Sequence, residues 1–226
     1  MKIFFPCLCL FCCVVGTSPI KAEETAKWYV DLNAGLGTRE NSVDEYGEAF
    51  YNDGYILGAA IGYQFNTFRN FRTELRYDRQ VNGVDKLHTH TEPHAESAHG
   101  DARTDSIQQV FYYDVAMNSL GLSSEYWQKI RPYIGGGFGF NRAILEDLAG
   151  DSWDHSLSTT TEWSFSYSFR GGVAYDTSPS VSVYAGGYYL KCDEIVVEVP
   201  SASGLNVAAH PGIETAGAVA GLRYFF

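Results

Sequence analysis

Apolar and polar residues alternate along much of the chain, with the two-residue period of β-strands. The clearest case is the end of the chain. Counting back from Phe226, every second residue is apolar or aromatic, whereas the intervening set is mostly small and carries one charge, Arg223. Such a strand suits an apolar environment on one face and a polar environment on the other. The same alternation predicts seven earlier strands, at residues 28–37, 55–65, 71–81, 105–118, 130–142, 162–175 and 181–190.

The connections between these predicted strands alternate in length. The first, third, fifth and seventh are long and polar, whereas the second and sixth have five residues each and the fourth has eleven. An even number of strands, with long loops at one end and short turns at the other, is typical of barrels in bacterial outer membranes. In that arrangement both termini are periplasmic and the four long loops are extracellular.

The positions of the charges distinguish a membrane barrel from a soluble one. On the apolar faces, charges occur only near the predicted strand ends, at Arg79, Arg142, Lys191 and Glu214, and mid-strand charges lie on the other faces. A soluble barrel is polar outside and apolar inside, so the order here is inverted. The pattern therefore predicts an all-β fold, an eight-stranded antiparallel up-and-down transmembrane β-barrel. A buried terminal strand of a soluble β protein is the alternative for the last stretch alone.

The first 22 residues are predicted to be a separate segment. Lys2 precedes an apolar run over residues 3–15, and small residues follow as far as Ala22. This is the pattern of a secretory signal peptide, and the run is too short for a transmembrane helix. We therefore expect a cleaved segment over residues 1–22 and one barrel domain over residues 23–226.

Cysteine usage and charge limit the partners. Four of the five cysteines lie in the predicted signal peptide, so the mature chain retains only Cys192 and has no internal disulfide. Cys192 is either a bystander or one half of an intermolecular disulfide. A formal net charge of −11 argues against a nucleic-acid partner, which requires a basic surface. Aromatic residues make up 15% of the chain, as expected for girdles at two membrane interfaces.

Three motifs carry a family resemblance. Trp28-Tyr29-Val30 opens the first predicted strand, Arg-Pro-Tyr-Ile-Gly-Gly-Gly-Phe-Gly occupies residues 131–139, and Gly-Leu-Arg-Tyr-Phe-Phe ends the chain. With them the chain resembles the small eight-stranded barrels of the OmpA transmembrane-domain type. Among these it is most similar to the opacity and surface-antigen family of bacterial outer-membrane proteins. The motifs are specific for the fold and poor indicators of a role.

The resemblance implies partners and a function. Leu222, Tyr224 and Phe226 correspond to the signal that the barrel-assembly machinery reads in such proteins. Outer-membrane lipid and lipopolysaccharide would surround the barrel, and its acidic loops would meet a host-cell surface ligand or the environment. A surface antigen with an adhesin-like role is therefore the leading interpretation, because loops on a rigid scaffold commonly carry recognition. A weak porin with a small gated conductance is the alternative.

The polar faces supply a candidate lumen site. Glu74, Arg76, Asp114, Arg170 and Arg223 are expected to project into the lumen. Charges in a narrow interior must pair or remain hydrated, and eight strands leave an interior that side chains nearly fill. These residues therefore predict a structural salt-bridge plug, with a gate for a small conductance as the alternative.

Two further groups of residues suggest other chemistry. His88, His90, His94 and His99 share one predicted loop, and a His-x-His pair on an extended segment can bind Zn²⁺ or Cu²⁺, but the spacing matches no metal motif. His155-Ser156 precedes a Ser/Thr run, yet the His-x-Ser pattern of the barrel deacylases is absent. A polar loop is the alternative for the histidines. We expect no cofactor and no enzymatic activity, and a lipid-modifying enzyme is a remote alternative.

Overall fold

The structure is a computed structural model of the chain. It describes residues 27–43, 47–65, 70–89, 96–117, 121–122, 124–150, 157–160, 163–192, 197–200, 206–209 and 213–226. The predicted signal peptide lies outside these ranges, so it remains a prediction. Within them, no helix is long and apolar enough to cross a membrane.

Eight long strands form one closed antiparallel barrel. Each is hydrogen-bonded to its neighbours in chain order, and the first strand also pairs with the last, which closes the sheet. The predicted eight-stranded antiparallel barrel is therefore confirmed. The barrel strands are β1 (Lys27–Arg39), β3 (Gly47–Gln64), β4 (Phe71–Thr89), β5 (Glu96–Asp114), β6 (Ile130–Gly150), β8 (Ser164–Ser178), β9 (Val181–Cys192) and β12 (Ile213–Phe225).

Short elements lie at the ends of the barrel. Strand β2 (Ser42–Val43) pairs with β3 and β7 (Leu157–Thr160) pairs with β6, whereas β10 (Val197–Pro200) and β11 (Asn206–Ala209) form their own two-stranded sheet. These pieces belong to the connections that the sequence predicts to be long. A single helical turn, α1 (Glu125–Gln128), lies in the connection between β5 and β6.

The sequence underestimates the length of four neighbouring strands. β3, β4, β5 and β6 continue beyond the predicted ends, and their pairing persists through bulges between Phe50 and Gly54, Gly83 and Lys86, and His99 and Asp101. Paired strands that extend beyond the lipid need no apolar face, so alternation fades there although the ladder continues. In the opposite direction β5 ends at Asp114, four residues earlier than predicted.

The faces of the strands follow the alternation. On β12, Leu222, Tyr224 and Phe226 are 45%, 45% and 72% exposed, whereas Arg223 between them is 2% exposed. Gln109 is a polar residue within an otherwise apolar outer face, and its amide donates to Thr73 Oγ1 at 2.5 Å and to the Glu74 carbonyl oxygen at 3.1 Å. The neighbouring strand thus supplies the acceptors that lipid lacks.

Tyrosines fill the lumen by lying over glycines of the next strand or of the strand beyond it. A Cβ atom on Gly62 would stand 2.1 Å from Cζ of Tyr29, and one on Gly135 would stand 2.4 Å from Cδ1 of Tyr112. The same arrangement recurs for three more tyrosines. They are Tyr133 over Gly172 and Gly186, Tyr184 over Gly221, and Tyr188 over Gly37 and Gly217. The glycines therefore make the room that inward-facing rings need in a narrow barrel.

This packing makes a prediction for Gly62→Ala. The added methyl group must displace the Tyr29 ring, which is held by Glu74, so we expect the free energy of unfolding to fall by about 1–3 kcal/mol. The matched control is Gly136→Ala, because a Cβ there meets nothing closer than the Ser168 carbonyl oxygen at 3.9 Å. Urea titration of the folded protein in lipid vesicles, followed by tryptophan fluorescence, measures both. Equal unfolding midpoints for the two variants would refute the packing argument.

Candidate functional site

Charged side chains form one connected network in the lumen. All of its members are 6% exposed or less, and four carboxylates face four guanidinium groups, so the network is neutral overall. It contains each of the five lumen residues singled out from the sequence. Its members are Asp31, Glu74, Asp78 and Asp114 with Arg72, Arg76, Arg170 and Arg223.

Glu74 is the centre of the network. One carboxylate oxygen accepts from the Tyr29 hydroxyl at 2.8 Å and from Nη1 of Arg72 at 2.5 Å. The other accepts from Nε and Nη2 of Arg76 at 3.1 and 2.8 Å. Nε of Arg223 lies 3.8 Å from the first oxygen. Three guanidinium groups therefore surround a fully buried carboxylate, whose charge they require.

Asp31 joins the first and last strands of the barrel. It lies directly opposite Arg223 in the register of β1 and β12, and Nε of Arg223 donates to it at 3.1 Å. Its other oxygen accepts from Nη2 of Arg76 at 2.6 Å and from the Tyr184 hydroxyl at 2.8 Å. One carboxylate thus links four strands, including both sides of the seam that closes the sheet.

The network extends from this centre in both directions. Toward the short turns, Nε of Arg72 donates to Asp114 at 3.1 Å. Toward the long connections, Asp78 lies 3.5 Å from Nη1 of Arg76 and also accepts from Arg170. Three members, Asp31, Arg72 and Asp78, fall on the inward faces in the sequence but were not among the predicted site residues. Arg72 and Asp78 lie at the same alternate positions of β4 as Glu74 and Arg76, and Asp31 lies on the polar face of β1, so the alternation could have identified all three.

Aromatic rings and small side chains occupy the remaining lumen. The guanidinium carbon of Arg72 lies 3.7 Å from the ring centre of Tyr112, and that of Arg223 lies 4.3 Å from the ring centre of Tyr184. A cavity of about 10 Å³ lies between the network and the long connections, lined in part by Gln80 and Thr104. That volume holds about one water molecule. In the described barrel, the charged network and these buried rings therefore plug the middle of the lumen.

The other predicted site residues are placed as follows. His90 and His94 lie outside the described residues, as does the side chain of His88, and His99 is exposed on β5. Among the residues that are described, no three His, Cys, Asp or Glu side chains are grouped to hold a metal ion. The metal site thus stays a prediction, and His155 and Ser156 also lie outside the described ranges.

The last residues of the chain are part of the barrel wall. Leu222, Tyr224 and Phe226 share the outer face, and the rings of Tyr224 and Phe226 lie 5.4 Å apart. The backbone N–H of Phe226 donates to the Trp28 carbonyl oxygen at 3.0 Å, so the last residue is still bonded to the first strand.

Cys192 is buried and its thiol donates to the Phe165 carbonyl oxygen at 3.4 Å, which favours the bystander interpretation.

Comparison with known proteins agrees with this geometry. A family model described as the outer membrane protein beta-barrel domain matches residues 6–226. Neisserial surface protein A is 20% identical with a TM-score of 0.58, and the match covers 90% of this chain and all of that one. OprG from Pseudomonas aeruginosa is 15% identical with a TM-score of 0.54, over 89% of this chain and 96% of that one. No curated protein matches. At these identities the two structures are similar in fold, and the family match shows that the chain belongs to the outer membrane protein beta-barrel domain family.

Proposed function

We propose that the protein is a surface protein of the bacterial outer membrane, and that its closed barrel displays four long acidic loops for adhesion or another contact with a host or the environment. The observation that carries this proposal is the filled lumen. A barrel whose interior is crossed by a neutral network of buried, hydrogen-bonded side chains offers little room for the passage of solutes. What such a scaffold can present is its ends.

The charge of the long connections supports a role in recognition. Residues 38–54, 82–104, 143–161 and 191–212 contain 16 of the 27 acidic residues and 4 of the 16 basic residues. The described parts of these connections lie at one end of the barrel, opposite Lys27 and Phe226. A field of one sign attracts partners of the opposite charge and speeds their encounter, so we infer a partner with a basic surface.

The proposed topology is the one typical of outer-membrane barrels. The termini are periplasmic and the acidic end is extracellular, which places the recognition surface outside the cell. Neisserial surface protein A, which has the same fold, is named for that location. The lipid and lipopolysaccharide of the membrane and the barrel-assembly machinery are the remaining proposed partners, and we propose no catalytic role.

Adherence and conductance together test this function. We expect bacteria that display the protein to adhere to cultured host cells, and adherence to be lost when residues 193–212 are replaced by a short turn. The control shortens residues 119–123 in the connection at the other end, which should leave adherence unchanged. In planar bilayers we expect no discrete conductance steps from the wild-type protein. Discrete steps, with adherence independent of residues 193–212, would instead establish the porin.

A further inference from the structure

Three arginines converge on one carboxylate on the outer surface of the barrel. Nε of Arg79 lies 2.8 Å from Asp105, Nη2 of Arg142 lies 3.2 Å from it, and Nε of Arg103 lies 3.6 Å from it. Asp105 is 1% exposed because these groups and the Tyr77 hydroxyl cover it. We call Arg79, Arg103, Arg142 and Asp105 the arginine cluster.

The register explains why the cluster forms. Arg79 of β4, Asp105 of β5 and Arg142 of β6 occupy one row of paired positions across the three strands. The sequence placed Arg79 and Arg142 near strand ends, but β4 and β6 continue for several residues beyond them, so that placement was wrong. The cluster therefore lies within the wall of the barrel.

The cluster has more positive charge and more N–H donors than its carboxylate can use. Arg103 also pairs with Glu146 at 2.5 Å, which leaves three guanidinium groups against two carboxylates. Nε of Arg103 is buried and has no hydrogen-bond partner. Among the described residues, Nη1 of Arg79 and Nη1 of Arg142 also have no acceptor, and the side chains of these two residues are 42% and 34% exposed. Such a site is prepared for an anion with several oxygen acceptors.

Apolar and aromatic side chains flank the arginine cluster on one side, as expected where a lipid headgroup meets its acyl chains. In the adjoining outward row toward the chain termini lie Tyr77, Ile107, Phe140 and Phe165, and the row beyond it holds Leu75, Gln109, Phe138 and Tyr167. Arg142 also lies over the Trp163 ring, 5.0 Å from its centre, as in an interfacial aromatic girdle. Elsewhere at this end of the barrel the outward charges of Lys191 and Glu214 pair with each other at 3.2 Å.

We propose that the arginine cluster binds the phosphate groups of lipid A, the phosphorylated glycolipid of the outer leaflet, while its acyl chains cover the apolar rows of β4, β5, β6 and β8. Asp105 acts as a positioning residue: its negative charge offsets the repulsion between the three guanidinium groups and holds them side by side on the outer surface. The choice of lipid A over a phospholipid rests on the topology given under the proposed function, because that topology places the cluster in the outer leaflet.

Native mass spectrometry of the full chain, folded in detergent and incubated with lipid A, tests the proposal. We expect retention of diphosphoryl lipid A to fall by at least about tenfold in the double variant Arg79→Gln/Arg142→Gln, since two charge-assisted interactions are lost. The control is Arg131→Gln, which breaks a pair with Asp176 at the opposite end of the barrel and should leave retention unchanged. Dephosphorylated lipid A should be retained weakly by all of them.

A second double variant distinguishes lost binding from failed folding. Arg79→Lys/Arg142→Lys keeps both charges and loses the bidentate geometry, so we expect intermediate retention and a folded band in unboiled gels. Equal retention by the wild type and the glutamine variant would overturn the proposal. So would stronger retention of phosphatidylglycerol than of lipid A. That second result, together with adherence that does not depend on residues 193–212, would refute the proposed topology as well, whereas adherence that still depends on those residues would leave the proposed function intact.

Discussion

Glu74→Gln is expected to lower the free energy of unfolding by about 3–5 kcal/mol, one of the largest effects available in this chain. The substitution keeps the shape of the side chain but removes its negative charge. Arg72 and Arg76 donate to it, and Arg223 lies nearby, so the buried network would carry an excess positive charge. The amide group would also offer an N–H where the guanidinium groups need an acceptor. Urea titration in lipid vesicles measures the loss.

The matched control for this substitution is Glu125→Gln. Glu125 pairs with Lys129 at 3.3 Å on the helical turn, and its side chain is 89% exposed, so about 0–1 kcal/mol is expected. If Glu74→Gln costs no more than Glu125→Gln, the lumen network contributes no more than a surface pair. The plug would then be held by the tyrosines and glycines alone.

Leu222→Arg is expected to impair insertion of the barrel. Leu222 is 45% exposed between Leu32 of β1 and Val183 of β9, so the new charge would face lipid. Such a charge costs about 2–4 kcal/mol at the bilayer midplane and about 0–1 kcal/mol near an interface. Leu222 lies between these limits, and we expect about 2 kcal/mol. The folded fraction is measured as the fast-migrating band of unboiled samples.

Two companion variants identify the cause of that effect. Leu222→Phe keeps the position apolar and should insert like the wild type. Arg223→Leu removes a lumen charge and leaves Asp31 with one guanidinium partner, so we expect an inserted barrel of lower thermal stability. Normal insertion of Leu222→Arg with failure of Arg223→Leu would mean that the faces of β12 are exchanged, as a register shift of one residue produces.

The alternation predicts the faces of the strands because lipid requires apolar side chains on the outer face, which every second residue supplies. Leu222 and Arg223 are adjacent in sequence, and only their parity is needed to place one in lipid and the other in the lumen. Parity does not give the partners of a side chain. Asp31 and Arg76 meet at 2.6 Å from strands far apart in sequence, and that contact depends on the registers of β1, β3 and β4 together.

The parts that sequence reasoning missed have the same cause. The arginine cluster requires Arg79, Asp105 and Arg142 to align across three strands, and a one-dimensional pattern does not fix that alignment. The ends of β3 to β6 were missed because strand pairing beyond the membrane needs no apolar face. The alternation therefore predicts the strands where lipid covers the barrel and does not predict their continuation beyond the membrane.

The ion pair between Asp31 and Arg223 has a consequence for the closure of the barrel. The two residues stand opposite each other across the seam, so they come together only when β12 reaches β1. An open sheet released into hydrocarbon would separate Arg223 from Asp31, and a buried charge that loses its partner costs several kcal/mol. An open barrel is therefore energetically penalised in the membrane, and this ion pair favours the completed cylinder over a sheet whose seam is open.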